Sequence, residues 1–295
     1  LAKTALPLES CLIHWNQASA CYRAVMIVEF DQITSASNPL IKQLRTLERK
    51  KGRNETGLFL AEGARLIEQA LAQAWHVETL VVSNAGAERD FVQALARRAQ
   101  AQGARVIQVP DRLAGSIARK DNPQAVIAAI RQRDLALTDL NAQDKGLWIG
   151  LYECRDPGNL GTILRTADCA GAAGVILVET CCDPYSVESV RASMGSLFDV
   201  ALARADFETF NTWRQAAGLS MVAASVNGDT PHTGVDFVQP SLILMGNEQA
   251  GLPPAIEAQC DQLCLIPMRG GADSLNLAQA TAIMLYEGWR QRGFA

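Results

Sequence analysis

The sequence predicts an α/β protein whose second half is built on a parallel sheet. Short, almost continuous apolar runs recur from residue 147 onward, and segments with helical periodicity separate them. Strands of this kind are buried on both faces, as in a parallel sheet covered by helices. A shorter alternation of helices and strands occupies residues 38–130, and a polar, charged stretch at 131–145 lies between the two. We therefore predict two α/β units joined by a linker.

Periodicity and stop signals predict the elements of the first unit. A helix over 38–51 places Leu40, Leu44 and Leu47 on one stripe. A helix over 87–101 ends before Gly103, a residue that commonly terminates helices. The remaining predicted elements are a helix at 62–74 and strands at 58–60, 77–82, 105–109 and 125–130.

The second unit alternates more regularly. Its predicted strands are 147–152, 174–179, 220–226, 241–245 and 263–267, and its predicted helices are 159–170, 186–197, 206–217, 253–259 and 275–291. Residues 1–25 contain no periodic element and do not resemble a signal peptide, so we expect an extension there and folded chain from about Met26. The predicted division is then 26–133, a linker at 134–145, and 146–295.

Composition limits the possible functions of the 295 residues. The formal net charge is -4, so any nucleic-acid binding must come from a local basic surface. No apolar run approaches the roughly 18 residues that span a bilayer, so no membrane role is expected. Eight cysteines without paired spacing and only three histidines make a zinc site improbable, and we expect reduced thiols in a cytoplasmic protein.

Three stretches follow predicted strands and carry polar residues. Residues 156–167, Asp-Pro-Gly-Asn-Leu-Gly-Thr-Ile-Leu-Arg-Thr-Ala, form a turn that exposes backbone N–H groups at a helix start, which suits an anion. Residues 242–254 end a strand in a loop bounded by Gly246 and Gly251 that carries Glu248. Residues 263–280 lead through Gly-Gly to Ser274, which is suited to cap the last helix, and to Asn276, a poor helix former.

Together, in this order, the three stretches resemble the motifs of the SpoU (TrmH) family of RNA 2'-O-ribose methyltransferases, within the SPOUT superfamily. Residues 38–42 and 59–67 also resemble the ribosomal-protein-like RNA substrate-binding domain that precedes the catalytic domain in many members. The resemblance implies a deep trefoil knot, which general folding rules would not suggest. It also implies a homodimer, which the apolar stripe of the last helix (Ala282, Ile283, Leu285, Tyr286, Trp289) permits, although that stripe could equally be core.

The resemblance also implies roles for individual residues. S-adenosylmethionine would be held largely by backbone atoms and leave as S-adenosylhomocysteine, with contacts at Gly246, Gly251, Ile266, Met268 and Leu275. The catalytic set carried over by position is Arg165, Asn159, Glu248, Ser274 and Asn276. The sequence departs from the family at Leu277-Ala278, where valine and serine are common, which concerns helix packing more than catalysis.

A basic segment in the first unit suits RNA. Residues 42–53 contain six basic side chains and one acidic side chain, that of Glu48. An exposed charged helix would also explain this run, but in an RNA-binding-like domain we favour phosphate contacts. The predicted RNA-binding residues are Lys42, Arg45, Arg49, Lys50, Lys51, Arg53 and Arg65. The N-terminal domain favours ribosomal RNA over transfer RNA.

Three other interpretations remain. A non-catalytic RNA-binding or assembly protein on the same fold could lose the polar motif residues freely, and here they are intact. A nucleotide-dependent oxidoreductase would need G-x-G-x-x-G after a first strand, which is missing. A conventional, unknotted methyltransferase would usually carry a glycine-rich first loop, which is also missing.

Overall fold

The structure, a computed structural model, describes residues 30–118, 124–133, 135–141 and 146–294. The predicted extension over residues 1–25 and the start near Met26 lie outside the described residues. Among the described helices, none is both long enough and apolar enough to cross a membrane.

The first unit is a mixed five-stranded sheet with helices packed on it. Its strands are β1 Asp31–Gln32, β2 Leu58–Glu62, β3 Val77–Ser83, β4 Arg105–Val109 and β5 Val126–Arg131. They lie in the order β1-β4-β3-β5-β2, and β5 is antiparallel to both of its neighbours. Its helices are α1 Pro39–Thr46, α2 Lys50–Thr56, α3 Ala64–Ala72, α4 Asn84–Ala87, α5 Asp90–Ala101 and α6 Asp111–Ala118.

The second unit contains a seven-stranded sheet in which every pairing is parallel. Its strands are β6 Leu147–Tyr152, β7 Gly174–Val178, β8 Leu202–Ala205, β9 Ser220–Ala224, β10 Thr230–Pro231, β11 Ser241–Met245 and β12 Gln262–Leu265. They lie in the order β10-β12-β9-β11-β6-β7-β8. Its helices are α7 Pro157–Cys169, α8 Val187–Ala192, α9 Phe207–Ala216, α10 Pro254–Glu257 and α11 Leu277–Gln291. The predicted parallel α/β fold is confirmed, and the knot stays a prediction.

Burial explains why these strands form where the apolar runs are. Every residue of β7 and β11 is buried, because helices cover both faces of the sheet. One apolar cluster lies around Trp148 and Phe210, and a larger cluster on the opposite face continues into the first unit. At that junction the rings of Phe59, Trp75, Tyr185 and Phe198 pack with centroids 4.8 to 6.5 Å apart. The two units therefore share one core.

The described part of the predicted linker is packed rather than free. Leu137 and Leu140 are buried in the same cluster as Trp148, and Leu135 pairs with Ala203 of β8. A short 3₁₀-helix, Leu137–Asp139, places both leucines on the second unit. The charged residues around them obscured these apolar anchors in the sequence.

The predicted helix over 38–51 is wrong, because the chain forms two helices, α1 and α2. Arg53 Nη1 donates to the carbonyls of Leu47 and Glu48, at 2.9 and 2.6 Å, and so satisfies groups that a continuous helix would bond internally. The helices also touch at Gly52, where a Cβ would lie 2.2 Å from the Thr46 carbonyl oxygen. This break depends on tertiary contacts that helical periodicity does not reveal.

Other boundaries also differ from the predictions. The helix predicted over 186–197 ends at Ala192, and after Gly195, at φ 111°, the chain continues as a 3₁₀-turn over Ser196–Phe198. The sequence does not predict the strands β1, β8 and β10 or the helices α4 and α6. β8 is short and lies at the sheet edge, with only part of its length buried, so its sequence lacks a continuous apolar run.

Candidate active site

The three motif stretches meet at one edge of the parallel sheet. They follow strands β6, β11 and β12, and parallel strands present their carboxyl ends on the same side. β6 and β11 are direct neighbours in register, with Met245 opposite Leu151. The three loops are therefore close in space although they are far apart in sequence.

Glu248 lies at the centre of this edge. Its carboxylate accepts hydrogen bonds from the backbone N–H groups of Arg155 and Asp156, both at 3.1 Å, and from the Asn159 side-chain amide at 3.3 Å. The Cys154 thiol lies 3.6 Å from the same carboxylate. Glu248, in the second motif stretch, therefore fixes the turn at the start of the first stretch through these hydrogen bonds.

These contacts keep Glu248 ionised. Partial burial works to raise the pKa of its carboxyl, but hydrogen bonds from its own N–H, from the backbone of Arg155 and Asp156 and from the Asn159 amide outweigh it and hold the pKa below its usual range. An ionised acceptor with several donors is well suited to fixing a loop. It is a weak proton acceptor for chemistry.

Asn276 joins the third stretch to the same network. Its Nδ2 donates to Asn159 Oδ1 at 2.9 Å, while its Oδ1 accepts from the backbone N–H groups of Ala278 and Gln279 at the start of α11. Asn276 is therefore the N-cap of α11, and the prediction that Ser274 caps this helix is wrong. Asn is among the best capping residues, which explains why a poor helix former stands there. Ser274 is exposed, two residues before the cap.

The loop after β11 is closed on itself. Asn247 and Gly251 exchange two backbone hydrogen bonds of 3.0 Å, and the Asn247 side chain donates to the Glu153 carbonyl at 2.8 Å. A Cβ on Gly246 would lie 2.5 Å from the Gly251 carbonyl carbon, so only glycine fits. Gly251 has φ 66°, in the region that favours glycine. The conformation of the loop itself therefore requires glycine at both positions.

The loop between β12 and α11 offers unused backbone groups. From Pro267 to Leu275, all of them described residues, no backbone N–H or C=O forms a hydrogen bond with the protein. Such groups bond to water or to a ligand. Met268 and Leu275 are 44% and 37% exposed, while Ile266 is half-buried. A cofactor held mainly by backbone atoms would fit this loop together with the Gly246–Gly251 loop.

Arg165 lies outside the hydrogen-bond network. It is exposed on α7, six residues and therefore about 9 Å along the helix axis from Asn159. No hydrogen bond or ion pair joins its guanidinium to another described residue, and the neighbouring Asp168 instead accepts from Ser196 at 2.7 Å. The guanidinium is available to a ligand that approaches along α7.

An open cleft of about 840 Å³ adjoins Asn159 and Asn276. It runs between α7 and α8, and sequence reasoning missed three of its polar lining residues, Thr162, Glu188 and Arg191. Arg191 also bonds to Glu62 of the first unit at 2.7 Å. The sequence around Arg191 matches none of the three stretches, so only the packing of α8 against α7 reveals it.

Five of the predicted RNA-binding residues are exposed at the surface, and the other two, Arg45 and Arg53, bond to other parts of the protein. Lys42, Arg49, Lys50 and Arg65 are exposed and form no ion pair within the described part of the chain, and Lys51 pairs with Glu55 at the surface. Arg45 donates to Ser116 of α6. Arg53 is only 3% exposed and forms an ion pair with Asp183 of the second unit at 2.7 Å, so the prediction that it contacts RNA is wrong.

Comparison with known proteins agrees with this geometry. Residues 146–286 match the model of the SpoU rRNA Methylase family, and residues 38–128 match an MRM3-like substrate binding domain. A 23S rRNA (uridine(2479)-2'-O)-methyltransferase from Streptomyces viridochromogenes is 33% identical over 88% of this chain and 92% of its own length. The chain belongs to the SpoU family. The resemblance seen in the sequence is thereby confirmed.

Two further SpoU-type relatives match both units. The 23S rRNA (guanosine(2553)-2'-O)-methyltransferase RlmP of Bacillus subtilis is 28% identical over 86% of this chain and 98% of its own length. The crystal structure of an AdoMet-bound rRNA methyltransferase from Sinorhizobium meliloti is 44% identical, with a TM-score of 0.83 over 88% of this chain and 98% of that one. The arrangement of both units is therefore similar to that in the Sinorhizobium meliloti structure along nearly its whole length.

Proposed function

We propose that this SpoU protein transfers a methyl group from S-adenosylmethionine to a ribose 2'-hydroxyl in RNA, with ribosomal RNA as the substrate. The observation that carries this is the Glu248–Asn159–Asn276 hydrogen-bond chain, which ties all three motif loops together at one sheet edge. The AdoMet-bound Sinorhizobium meliloti relative supports the cofactor, and the Streptomyces and Bacillus relatives, both named as 23S rRNA methyltransferases, support the RNA. We place the reaction in the cytoplasm.

The reaction is an in-line displacement at a methyl carbon. When bound, the cofactor would supply a methyl group on a sulfonium: the carbon–sulfur bond would break as the carbon–oxygen bond forms, neutral S-adenosylhomocysteine would leave, and the proton of the 2'-hydroxyl would pass to solvent. The backbone groups of residues 267–275 and of the Gly246–Gly251 loop would hold it, and alignment of the ribose oxygen provides the rate gain. The Glu248 network keeps these loops at fixed separation.

Arg165 is assigned to the RNA. Guanidinium remains protonated in ordinary surroundings, so its direct role is to grip the phosphate beside the target ribose with two parallel hydrogen bonds. Ser274, exposed beside the cap of α11, is assigned to the ribose. Asn159 and Asn276 orient the site from the network.

We expect Arg165→Ala to abolish methyl transfer while S-adenosylmethionine binding, measured by calorimetry, stays close to that of the wild type. The reason is that Arg165 is exposed and bonded to no described residue, so its removal leaves the loops intact. Arg112→Ala, an exposed arginine on α6, is the matched control. Retained turnover would remove Arg165 from the mechanism.

The first unit supplies the RNA-binding surface through Lys42, Arg49, Lys50 and Arg65. Charge reversal of Lys42, Arg49 and Arg65 together should weaken RNA binding and flatten its salt dependence, because fewer counterions are released from the RNA when phosphate contacts are lost. Fluorescence anisotropy at several salt concentrations measures this. An unchanged salt slope would contradict the assignment.

We also propose a homodimer formed through α11. Leu285 faces the core, whereas Ile283 and Tyr286 are 36% and 43% exposed on the same helix. An apolar strip beside the site is suited to a second copy of the chain. Light scattering tests this, and a monomer would contradict it.

The decisive test of function is mass-spectrometric mapping of 2'-O-methyl groups in RNA from cells with and without the protein. We expect one ribosomal RNA position to lose its methyl group. Loss confined to transfer RNA would move the substrate assignment to transfer RNA. No loss, together with no S-adenosylmethionine binding, would favour a non-catalytic RNA-binding protein.

A further inference from the structure

A second cleft, of about 480 Å³, lies between the two units. One wall is α2, which contributes Lys50 and Asn54, and the other is the segment after β7 together with β8. Among its lining residues are Lys50, Asn54, Arg133, Asp183, Leu202 and Arg204. Three of these six carry a positive charge and one a negative charge.

The single acid of this group is already neutralised. Arg53 donates to Asp183 Oδ2 through Nε at 2.8 Å and pairs with it through Nη2 at 2.7 Å, and the two side chains are 4% and 10% exposed. Arg204 stands 3.8 Å from the other carboxylate oxygen and is 43% exposed, so it remains open to a ligand. Lys50 is exposed and forms no ion pair with any described residue. The cleft therefore presents unbalanced positive charge.

The cleft also connects the two predicted functional regions. Its first wall continues the exposed basic residues Arg49 and Lys50 of the first unit. Its second wall leads back to the active site, because the Cys182 N–H donates to the Cys154 carbonyl at 2.7 Å, next to the turn that Glu248 holds. RNA that touches the basic segment and the active site would pass this cleft.

We propose that the cleft binds backbone phosphates of the substrate RNA, with Arg204 and Lys50 as the charged contacts. The inference rests on the proposed function, and it adds a phosphate site on the methyltransferase unit itself. Arg53 contributes indirectly, since its ion pair removes the repulsion that Asp183 would otherwise exert on a phosphate.

The test is the salt dependence of binding to a fluorescein-labelled single-stranded uridine 12-mer, with full-length variants. Arg204→Gln and Lys50→Gln should each weaken binding and reduce the log–log salt slope by about 0.7, the value for one phosphate contact on a single strand. Arg204→Lys keeps the charge and should keep the slope. Arg98→Gln, an exposed arginine of α5 that does not line the cleft, is the matched control.

A slope in Arg204→Gln equal to that of the wild type and of Arg98→Gln would overturn the proposal. Inorganic phosphate is the second probe: if it raises the melting temperature of the wild type but not of Arg204→Gln while the RNA slope is unchanged, the cleft binds small anions and not RNA. S-adenosylmethionine calorimetry on the same samples separates failure of the phosphate site from failure of the proposed enzymatic function. A wild type that binds no S-adenosylmethionine contradicts the enzymatic function, whatever the salt slope.

Discussion

At the scale of single residues, Glu248 shows why an acid stands in a loop that must be rigid. Its carboxylate accepts hydrogen bonds from the neighbouring turn instead of from water. These bonds are strong because a charged acceptor makes stronger hydrogen bonds than a neutral one. Asn159 uses both ends of its amide, donating to Glu248 and accepting from Asn276. A short chain of three side chains thus fixes the relative position of three loops.

Glu248→Gln should lower the free energy of unfolding by about 1 kcal/mol at pH 7, the usual net contribution of a hydrogen bond, because the donors around Glu248 are exposed or partly buried. Hydrogen bonding lowers the folded-state pKa of Glu248, so its stabilisation is complete above the unfolded-state pKa of about 4.3 and is lost as the pH falls through the folded value. The difference between wild type and variant should therefore narrow below about pH 4.

Urea unfolding of both proteins between pH 7 and pH 3 measures this difference. Glu188→Gln is the control, because Glu188 is exposed on α8 and bonds to no described side chain. We expect that substitution to stay within about 0.5 kcal/mol of the wild type. An equal difference for Glu248→Gln at pH 7 and pH 3 would show that its charge is not what stabilises the loop.

At the scale of elements, the packing of α7 on α8 sets the width of the cleft beside Asn159. A Cβ on Gly161 would lie 2.4 Å from the Ser189 carbonyl oxygen and 2.6 Å from the Ala192 Cβ. The helices can approach this closely only because residue 161 is glycine. The position of Asn159, two residues earlier on α7, follows from that approach.

Gly161→Ala should force the two helices apart and lower the free energy of unfolding by about 1–3 kcal/mol, the usual cost of overpacking. Thermal and urea denaturation measure the loss. Gly270→Ala is the control, since a Cβ there meets no atom within 4 Å. A Gly161→Ala protein as stable as that control would mean that the helices move apart at little cost.

Elements whose bounds depend on the hydrophobic pattern of their own residues could be predicted from the sequence. The bounds of β6 and β11 are confirmed, because both are apolar runs, buried except for the half-buried Tyr152 at the end of β6, and both are followed by glycine or polar turns. Asn159, Glu248 and Asn276 could be brought together because each follows a strand of one parallel sheet. Features that depend on the other unit could not be predicted. The burial of Arg53 depends on its ion pair with Asp183 of the second unit, and the same guanidinium bonds the Leu47 and Glu48 carbonyls at the break between α1 and α2.

At the scale of the whole molecule, two ion pairs join the units, and the acid comes from the second unit in one pair and from the first unit in the other. The Arg53–Asp183 pair is buried, whereas the Arg191 side chain of the other pair is 39% exposed. Arg53 of the first unit pairs with Asp183 of the second, and Arg191 of the second pairs with Glu62 of the first, each at 2.7 Å. The Trp75 indole also donates to the Phe198 carbonyl across the junction at 3.1 Å. With a shared apolar core, this junction fixes the exposed basic residues of α1 and α2 relative to the three motif loops.

Arg53→Leu should therefore lower the free energy of unfolding of the whole chain by about 3–5 kcal/mol, because the buried Asp183 carboxylate then keeps only the more distant Arg204, 3.8 Å away, as a cationic neighbour among the described residues. Arg53→Leu combined with Asp183→Leu should be less destabilising than Arg53→Leu alone, since no buried charge then remains unpaired. Arg105→Leu is the control: its pair with Asp31 is 55% and 63% exposed, so at most about 1 kcal/mol is expected. Urea unfolding gives all three values. If Arg53→Leu costs no more than Arg105→Leu, the ion pair does not hold the units together, and the first unit is free to move on the second.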